Sequence, residues 1–386
     1  MKTAIVYDRV NKWGGAESVL LALHEIFPDA PLYTSVYDKN KAPWAEVFSR
    51  IIPSFLQKIP VLRNYHELLG WLTPIAYETF SFDEYDLVIS VTSEAVKGII
   101  TKPQTLHICY CLTPTRYLWS GYEEYLNNPP TSLNWIPFYK YISQPFLRYT
   151  KYWDYMAAQR PDVMVGISTS VQKRIKKYYQ RDSELIFPPV DIDKFRIANK
   201  KQITKDKNKD YYLYVGRLVP YKKVGLAVEA FNDLRLPLVI IGTGSEESKL
   251  KSMANKNIIF KGFVAETELP QYFREAKAFI YPQEEDFGIT AVEAQAAGCP
   301  LIAYRAGGAL DTVVDPSTGP GRFATGIFFN EQTKESLIEA IKYFDDLNHR
   351  SIQPQNCVKN AAKFSKDIFK KKFQLMLEKT KVANKH

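Results

Sequence analysis

Short apolar runs alternate along this chain with stretches whose apolar positions repeat at helical spacing. Thr3–Asp8 is the first such run. Asn11-Lys12-Trp13-Gly14-Gly15-Ala16-Glu17 breaks it, and an amphipathic helix is predicted from Ala16 to Phe27. Strand, glycine turn and helix open an α/β nucleotide-binding unit. Further strands are predicted at Leu32–Val36, Leu87–Ser90, His107–Cys111 and Asp162–Gly166, with a helix over Ser170–Tyr179. A second series follows. Its strands are Tyr211–Val215, Leu238–Gly242, Ile258–Lys261, Ala278–Tyr281 and Leu301–Ala303. Its helices are Val224–Phe231, Ser245–Ala254, Leu269–Glu275, Thr290–Ala297 and Lys334–Leu347, and a last long basic helix runs from Val358 to Lys379. Alternation of this kind predicts parallel sheets covered by helices on both faces.

Between the two series, residues 197–210 are lysine-rich and poor in apolar side chains, which predicts an exposed linker. The expected division is therefore 1–196, 197–360 and a terminal helical segment 361–386. Two stretches of the first part stand apart. Ile51–Phe80 mixes many apolar residues with Lys58 and Arg63. Tyr117–Trp153 carries Trp119, Tyr122, Tyr125, Trp135, Phe138, Tyr139, Tyr141, Phe146, Tyr149 and Trp153. Two readings fit them: helices packed on the first domain, or a basic amphipathic surface lying on a membrane.

Composition narrows the classes. A chain of 386 residues suits two domains. The net charge of +9 attracts phosphates, nucleic acid or anionic lipid without choosing among them. Nothing resembles a nucleic-acid-binding motif, so nucleic acid is not expected as a partner. Only four cysteines occur, Cys109, Cys111, Cys299 and Cys357; the first two share a strand face, and a reducing compartment fits. Met1–Asp8 reads as a buried strand, not a signal peptide, and no apolar run is long enough to span a bilayer.

The densest chemistry lies in Glu284-Glu285-Asp286-Phe287-Gly288-Ile289-Thr290-Ala291-Val292-Glu293-Ala294-Gln295-Ala296-Ala297-Gly298-Cys299-Pro300. Glu285 falls in a glycine-bearing loop after a strand and Glu293 in the first turn of a helix. Ligands of doubly wound sheets bind at such junctions, where helix N–H groups suit a diphosphate. Glu293 could hold ribose hydroxyls and Glu285 a sugar. Equally, Thr290-x-x-Glu293 is a capping box in which Glu293 satisfies a backbone N–H, and Gly298 before Pro300 is an ordinary helix stop. A glycosidase-type pair would need its carboxylates about 5–9.5 Å apart across a sugar.

Glu285 through Glu293, with Ala-Gln-Ala-Ala-Gly-x-Pro and Gly307-Gly308 after it, resembles the E-x7-E signature of retaining GT-B glycosyltransferases of family 4. Gly14-Gly15-Ala16-Glu17, Pro188-Pro189-Val190-Asp191-x-x-x-Phe195, Gly216-Arg217-Leu218-Val219-Pro220-Tyr221-Lys222, Gly242-Thr243-Gly244 and Phe260-Lys261-Gly262-Phe263-Val264 are similar to further motifs of that family, in the same order. The resemblance implies a GT-B fold of two facing Rossmann-like domains with a deep cleft between them, the first binding the acceptor and the second the donor. It implies that Gly216, Arg217 and Lys222 grasp the diphosphate, that Glu285 with Phe287, Gly288, Ile289 and Thr290 holds the donor sugar, and that Glu293 holds the ribose. Gly242, Gly244, Phe263 and Val264 would lie on the base side, and Gly14 and Gly15 would admit phosphates or acceptor.

Glu285, Arg217 and Lys222 would carry the catalysis, by same-face attack with retention and with neither metal nor cofactor. The motif also resembles bacterial mannosyltransferases of surface-polysaccharide and O-antigen assembly. It therefore implies GDP-mannose first and a UDP-sugar second as donor, and a lipid-diphosphate-linked glycan as acceptor. The place implied is the cytoplasmic side, peripheral on the inner face of the cell membrane. One departure stands out. Cys111-Leu112-Thr113-Pro114 has Leu112 where many relatives carry a histidine before Thr-Pro. A non-catalytic homologue and a GT-B-fold epimerase are the alternatives. Asp191-x-Asp193 resembles a metal-binding pair of a different glycosyltransferase fold.

Overall fold

The computed structural model describes residues 1–59, 72–127, 139–196, 211–316, 323–347 and 352–383. The proposed linker 197–210, Trp135, Phe138 and much of Ile51–Phe80 lie outside them. The chain divides into two compact units, Met1–Phe187 with Lys372–His386, and Pro188–Lys371. Residues 188–196, grouped with the first domain on sequence, thus cluster with the second. Val190 forms a bridge to Ser365, which ties them there.

In the first unit, seven parallel strands stand in the order β3-β2-β1-β4-β5-β6-β7. They are β1 (Thr3–Tyr7), β2 (Leu32–Thr34), β3 (Ile51–Pro53), β4 (Leu87–Thr92), β5 (Leu106–Cys111), β6 (Val163–Gly166) and β7 (Glu184–Leu185). The central strands β1, β4 and β5 are buried along their whole length, as unbroken apolar runs in a two-faced sheet must be. Helix α1 (Gly15–Ile26) follows the glycine turn, α2 spans Thr73–Glu78 and α3 spans Tyr122–Asn127.

Helix α4 (Tyr139–Ala157) is fixed by a buried ion pair. Asp154 faces Lys97 at 2.6 Å and accepts hydrogen bonds from Thr115 Oγ1 (2.7 Å), Trp119 Nε1 (2.8 Å) and Tyr179 Oη (2.8 Å). A buried carboxylate is tolerable only when it is paired and hydrogen-bonded in this way. Helix α5 (Thr169–Tyr179) carries Tyr179 and ends at Gln180 in the left-handed conformation.

The second unit has six parallel strands in the order β10-β9-β8-β11-β12-β13. They are β8 (Tyr211–Val215), β9 (Leu238–Ile241), β10 (Ile258–Gly262), β11 (Ala276–Tyr281), β12 (Leu301–Tyr304) and β13 (Gly326–Phe329). Counted within the unit, this is the 3-2-1-4-5-6 order of the Rossmann fold, and its direction reverses between β8 and β11. Helices α6 (Val224–Leu234), α7 (Glu247–Met253), α8 (Leu269–Glu275), α9 (Ile289–Ala296), α10 (Ala309–Thr312) and α11 (Lys334–Asp346) cover it. Phe231, Ile240, Ile280 and Ile302 lie at the centre of its apolar core.

The single terminal helix expected over Val358–Lys379 is instead two, α12 (Pro354–Ala361) and α13 (Lys366–Ala383), separated by a 3-10 turn at Ala362–Phe364. The break lets Phe364 turn inward against Phe287, at 5.6 Å between ring centroids. Strand β13, short and with Gly326 at its head, escaped the pattern reading. No helix among the described residues is long and apolar enough to cross a membrane.

Candidate functional site

The second unit's switch point is flanked by two loops, Gly216–Lys223 after β8 and Pro282–Gly288 after β11. Each is shaped by glycine. A Cβ on Gly242, where φ is +133°, would sit 1.9 Å from the Gly216 carbonyl oxygen, so the β9 loop packs directly under the β8 loop. Leu218 N donates to the Thr243 carbonyl at 2.9 Å, and a Cβ on Gly244 would sit 2.2 Å from the Leu218 carbonyl oxygen. A Cβ on Gly308 would lie 2.3 Å from Phe287 backbone atoms, and Gly308 N donates to the Glu285 carbonyl at 2.8 Å. Gly242, Gly244 and the Gly307-Gly308 pair therefore scaffold the two loops.

On those loops the Lys222 ammonium pairs with the Glu285 carboxylate. Both are partly buried, at 14% and 21% side-chain exposure, so the charges are poorly hydrated and strongly felt. Gln283 Nε2 donates to the same carboxylate at 3.3 Å. Arg217 is exposed and donates from Nη2 to Tyr221 Oη at 2.7 Å. The Tyr221 ring lies 5.9 Å from the Arg217 guanidinium and 5.4 Å from Lys222 Nζ, so one ring braces both cations. The motif brought Arg217, Lys222 and Glu285 to notice. It left out Gln283 and the bracing role of Tyr221, whose signal was only their placement beside charged motif residues.

The capping box does not form. Helix α9 starts at Ile289 behind Gly288, which takes the N-cap place at φ +89°, and no side chain caps it. The first N–H groups of Ile289 and Thr290 have no carbonyl within the helix to bond, and they carry its positive end. Glu293, freed from capping, is partly buried one turn in, and among the described residues its carboxylate takes no hydrogen bond. Burial raises its pKa to about 7, reinforced by the Glu266 charge and by Asp191, against Lys194, which lowers it. Gln295 is structural: its Nε2 donates to the Thr312 carbonyl (2.9 Å) and its Oε1 accepts from Asn360 Nδ2 (2.9 Å), tying α9 to α10 and α12.

The remaining residues separate. Phe263 is 83% exposed just beyond Gly262, which has φ +67°, and Val264 beside it is half-buried; both follow β10. The Phe287 side chain is in the core against Phe364, so only its backbone is left to meet a ligand. Gly14 and Gly15 lie in the first unit, where Gly14 is extended and Glu17 accepts a 2.8 Å bond from Tyr7 Oη. Leu112 follows β5 in the same unit. His107 is locked inside β5 on Ser90 (2.8 Å), with burial pushing its pKa down to about 3, so it cannot replace the histidine missing at Leu112. Asp191 and Asp193 pair with Lys194 (3.4 Å) and Arg196 (3.7 Å), and no group of described residues could hold a metal ion.

A carboxylate that titrates near neutrality gives the site a pH signature. With ribose hydroxyls donating to the ionised form of Glu293, as the motif's resemblance implies, each pH unit lost below its pKa should weaken nucleotide binding about tenfold. Titration calorimetry between pH 6 and 8 should show that slope, and Glu293→Gln should flatten it. The stability effect has the opposite sign. The folded pKa lies above the unfolded value of about 4.3, so this group's contribution to stability falls as pH rises from there to about 7. Glu293→Gln should therefore melt higher than the wild type at pH 8.

Residues 195–364 match the family model of the Glycosyl transferases group 1. An O-antigen chain mannosyltransferase of Escherichia coli is 26% identical over 40% of this chain and 42% of its own length. A GDP-mannose-dependent α-(1-6)-phosphatidylinositol monomannoside mannosyltransferase of Mycobacterium tuberculosis is 30% identical over 41% and 48%. The chain spans about half the length of the curated relatives it matches. Among solved structures, the Anabaena protein HepE in complex with UDP superimposes with a TM-score of 0.70 at 17% identity, over 98% of this chain and all of that one. The chain therefore has the GT-B fold, and the part of it that is similar to the group 1 glycosyl transferases is residues 195–364, less than half of its length.

Proposed function

We propose that this protein is a retaining hexosyltransferase. It takes a hexose from a nucleotide diphosphate sugar, GDP-mannose before UDP-glucose, and passes it to a lipid-diphosphate-linked glycan at the inner membrane face. The observation that carries the reading is the grouping, at one switch point, of two braced cations, an uncapped helix start and two carboxylates eight residues apart. Diphosphate, sugar and ribose each find the group their chemistry asks for. The similarity to mannosyltransferases favours mannose; the UDP bound by HepE keeps a uridine nucleotide in view.

In this reading Arg217, Lys222 and the first N–H groups of α9 neutralise the diphosphate as it leaves, where negative charge grows in the transition state. The anomeric C–O bond to phosphate breaks. The acceptor oxygen bonds to the same face, and its proton passes to a phosphate oxygen. Glu285, released from Lys222 by the incoming diphosphate, takes hydroxyls of the sugar, and Glu293 takes those of the ribose. These cations meet the charge without a metal ion.

Leu112 favours a second reading, a homologue that binds a donor without turning it over. Incubation with GDP-mannose or UDP-glucose labelled in the sugar, together with a lipid-linked oligosaccharide fraction, separates the two. Label should enter the lipid fraction with its anomeric configuration kept. Label that stays on the donor, despite measured donor binding, supports the second reading and contradicts the first.

A further inference from the structure

Helix α4 is apolar over a wider arc than an ordinary surface helix, and much of that arc is exposed. At 100° per residue, Leu147, Thr150, Asp154 and Ala157 face the unit's interior and are buried. Tyr141, Ile142, Phe146, Tyr149, Tyr152 and Met156 occupy an adjoining arc of about 140°, within which Trp153 turns inward to donate to Glu78. These six side chains are between 45% and 72% exposed. Lys140, Arg148 and Lys151 fill the sector on the far side of that arc. The only acid in the helix, Asp154, is buried against Lys97, so the outward surface of α4 carries positive charge alone. The cationic edge continues through Lys151 over the rings of Trp119 (4.7 Å) and Tyr122 (5.0 Å), and through Lys177 on α5 over Tyr178 (5.3 Å).

A contiguous exposed apolar patch on a soluble unit marks a contact surface. Its chemistry decides the partner. Three of the six side chains are tyrosines, which have an apolar ring and a wet hydroxyl and suit the level of lipid headgroups. Lysine and arginine edges attract anionic headgroups. A two-fold pairing of this face with a second copy would bring like charges together, since a symmetric interface opposes each patch to itself.

We propose that the outward face of α4 is the surface by which the first unit lies on an anionic bilayer, with its aromatic arc at headgroup level and its cations on lipid phosphates. This deepens the membrane contact proposed above by naming its residues. It is tested without any donor, so its failure leaves the donor-site reading standing.

The test is co-sedimentation of the full chain with vesicles of phosphatidylcholine alone, or of phosphatidylcholine with one third phosphatidylglycerol. Wild type should bind the anionic vesicles about tenfold more tightly than the neutral ones. Phe146→Ser/Tyr149→Ser/Tyr152→Ser should lose about tenfold of that binding while melting at the wild-type temperature. Ile100→Ser, an equally exposed apolar residue elsewhere in the unit, should bind as wild type does. Arg148→Glu tests the charge without touching the apolar arc, and should cut binding to anionic vesicles alone. Wild-type protein that ignores anionic vesicles, or a triple variant that binds them fully, overturns the proposal. So does a lipid-free dimer that the triple variant abolishes, which would make α4 an interface between copies.

Discussion

Lys222→Ala should lower the rate of sugar transfer about 100- to 1000-fold, with kcat falling far more than donor affinity. Lys222 is only 14% exposed, and in the proposed role a cation in such surroundings would act on a leaving diphosphate at low effective dielectric. Removing one preorganised donor from a developing anion costs about 3–4 kcal/mol in enzymes of other classes. The protein itself should survive the change. Glu285 keeps its bond from Gln283 and enough exposure to be hydrated, so the melting temperature should move little. Lys222→Arg should recover part of the rate, because the charge is kept while the point ammonium becomes a wider fork. A Lys222→Ala enzyme with wild-type kcat would remove the cation from the mechanism.

The Lys222–Glu285 pair also shows where sequence reading stops. The two residues stand 63 positions apart, on loops that follow different strands, and nothing in the local pattern of either joins them. The order β9-β8-β11 brings their loops side by side, and that order is a property of the whole sheet. What was legible was legible for local reasons. Unbroken apolar runs such as Leu238–Ile241 can be little else than buried strands, and the glycine-bearing E-x7-E segment marked its own loop and helix start.

Where local reasoning failed, a tertiary contact or a glycine had prevailed. Phe364 in the core splits the terminal helix that composition alone would continue. Gly288 in the left-handed region takes the N-cap from Thr290, and so leaves Glu293 available to a ligand. The aromatic stretch Tyr117–Trp153 left two readings open, and the packing of α4 on its unit agrees with the first of them. One face of α4 packs on its unit, and the other, with its six large side chains, is exposed.

Glu293→Ala carries the second large effect. Two hydroxyls donating to an ionised carboxylate contribute about 1.5–3 kcal/mol each, so their loss should weaken nucleotide binding at least 100-fold. Thermal melts of wild type and Glu293→Ala across GDP, UDP and their sugars test most directly whether the second unit's switch point is a nucleotide-sugar donor site. At about 100 times its dissociation constant a ligand adds ~2.7 kcal/mol to the wild type; after a 100-fold loss of affinity the same concentration adds only ~0.4 kcal/mol. For a donor site, one nucleotide family should raise the wild-type melt, and the rise should collapse in the variant. No shift with any nucleotide, or an equal shift in both proteins, would contradict it.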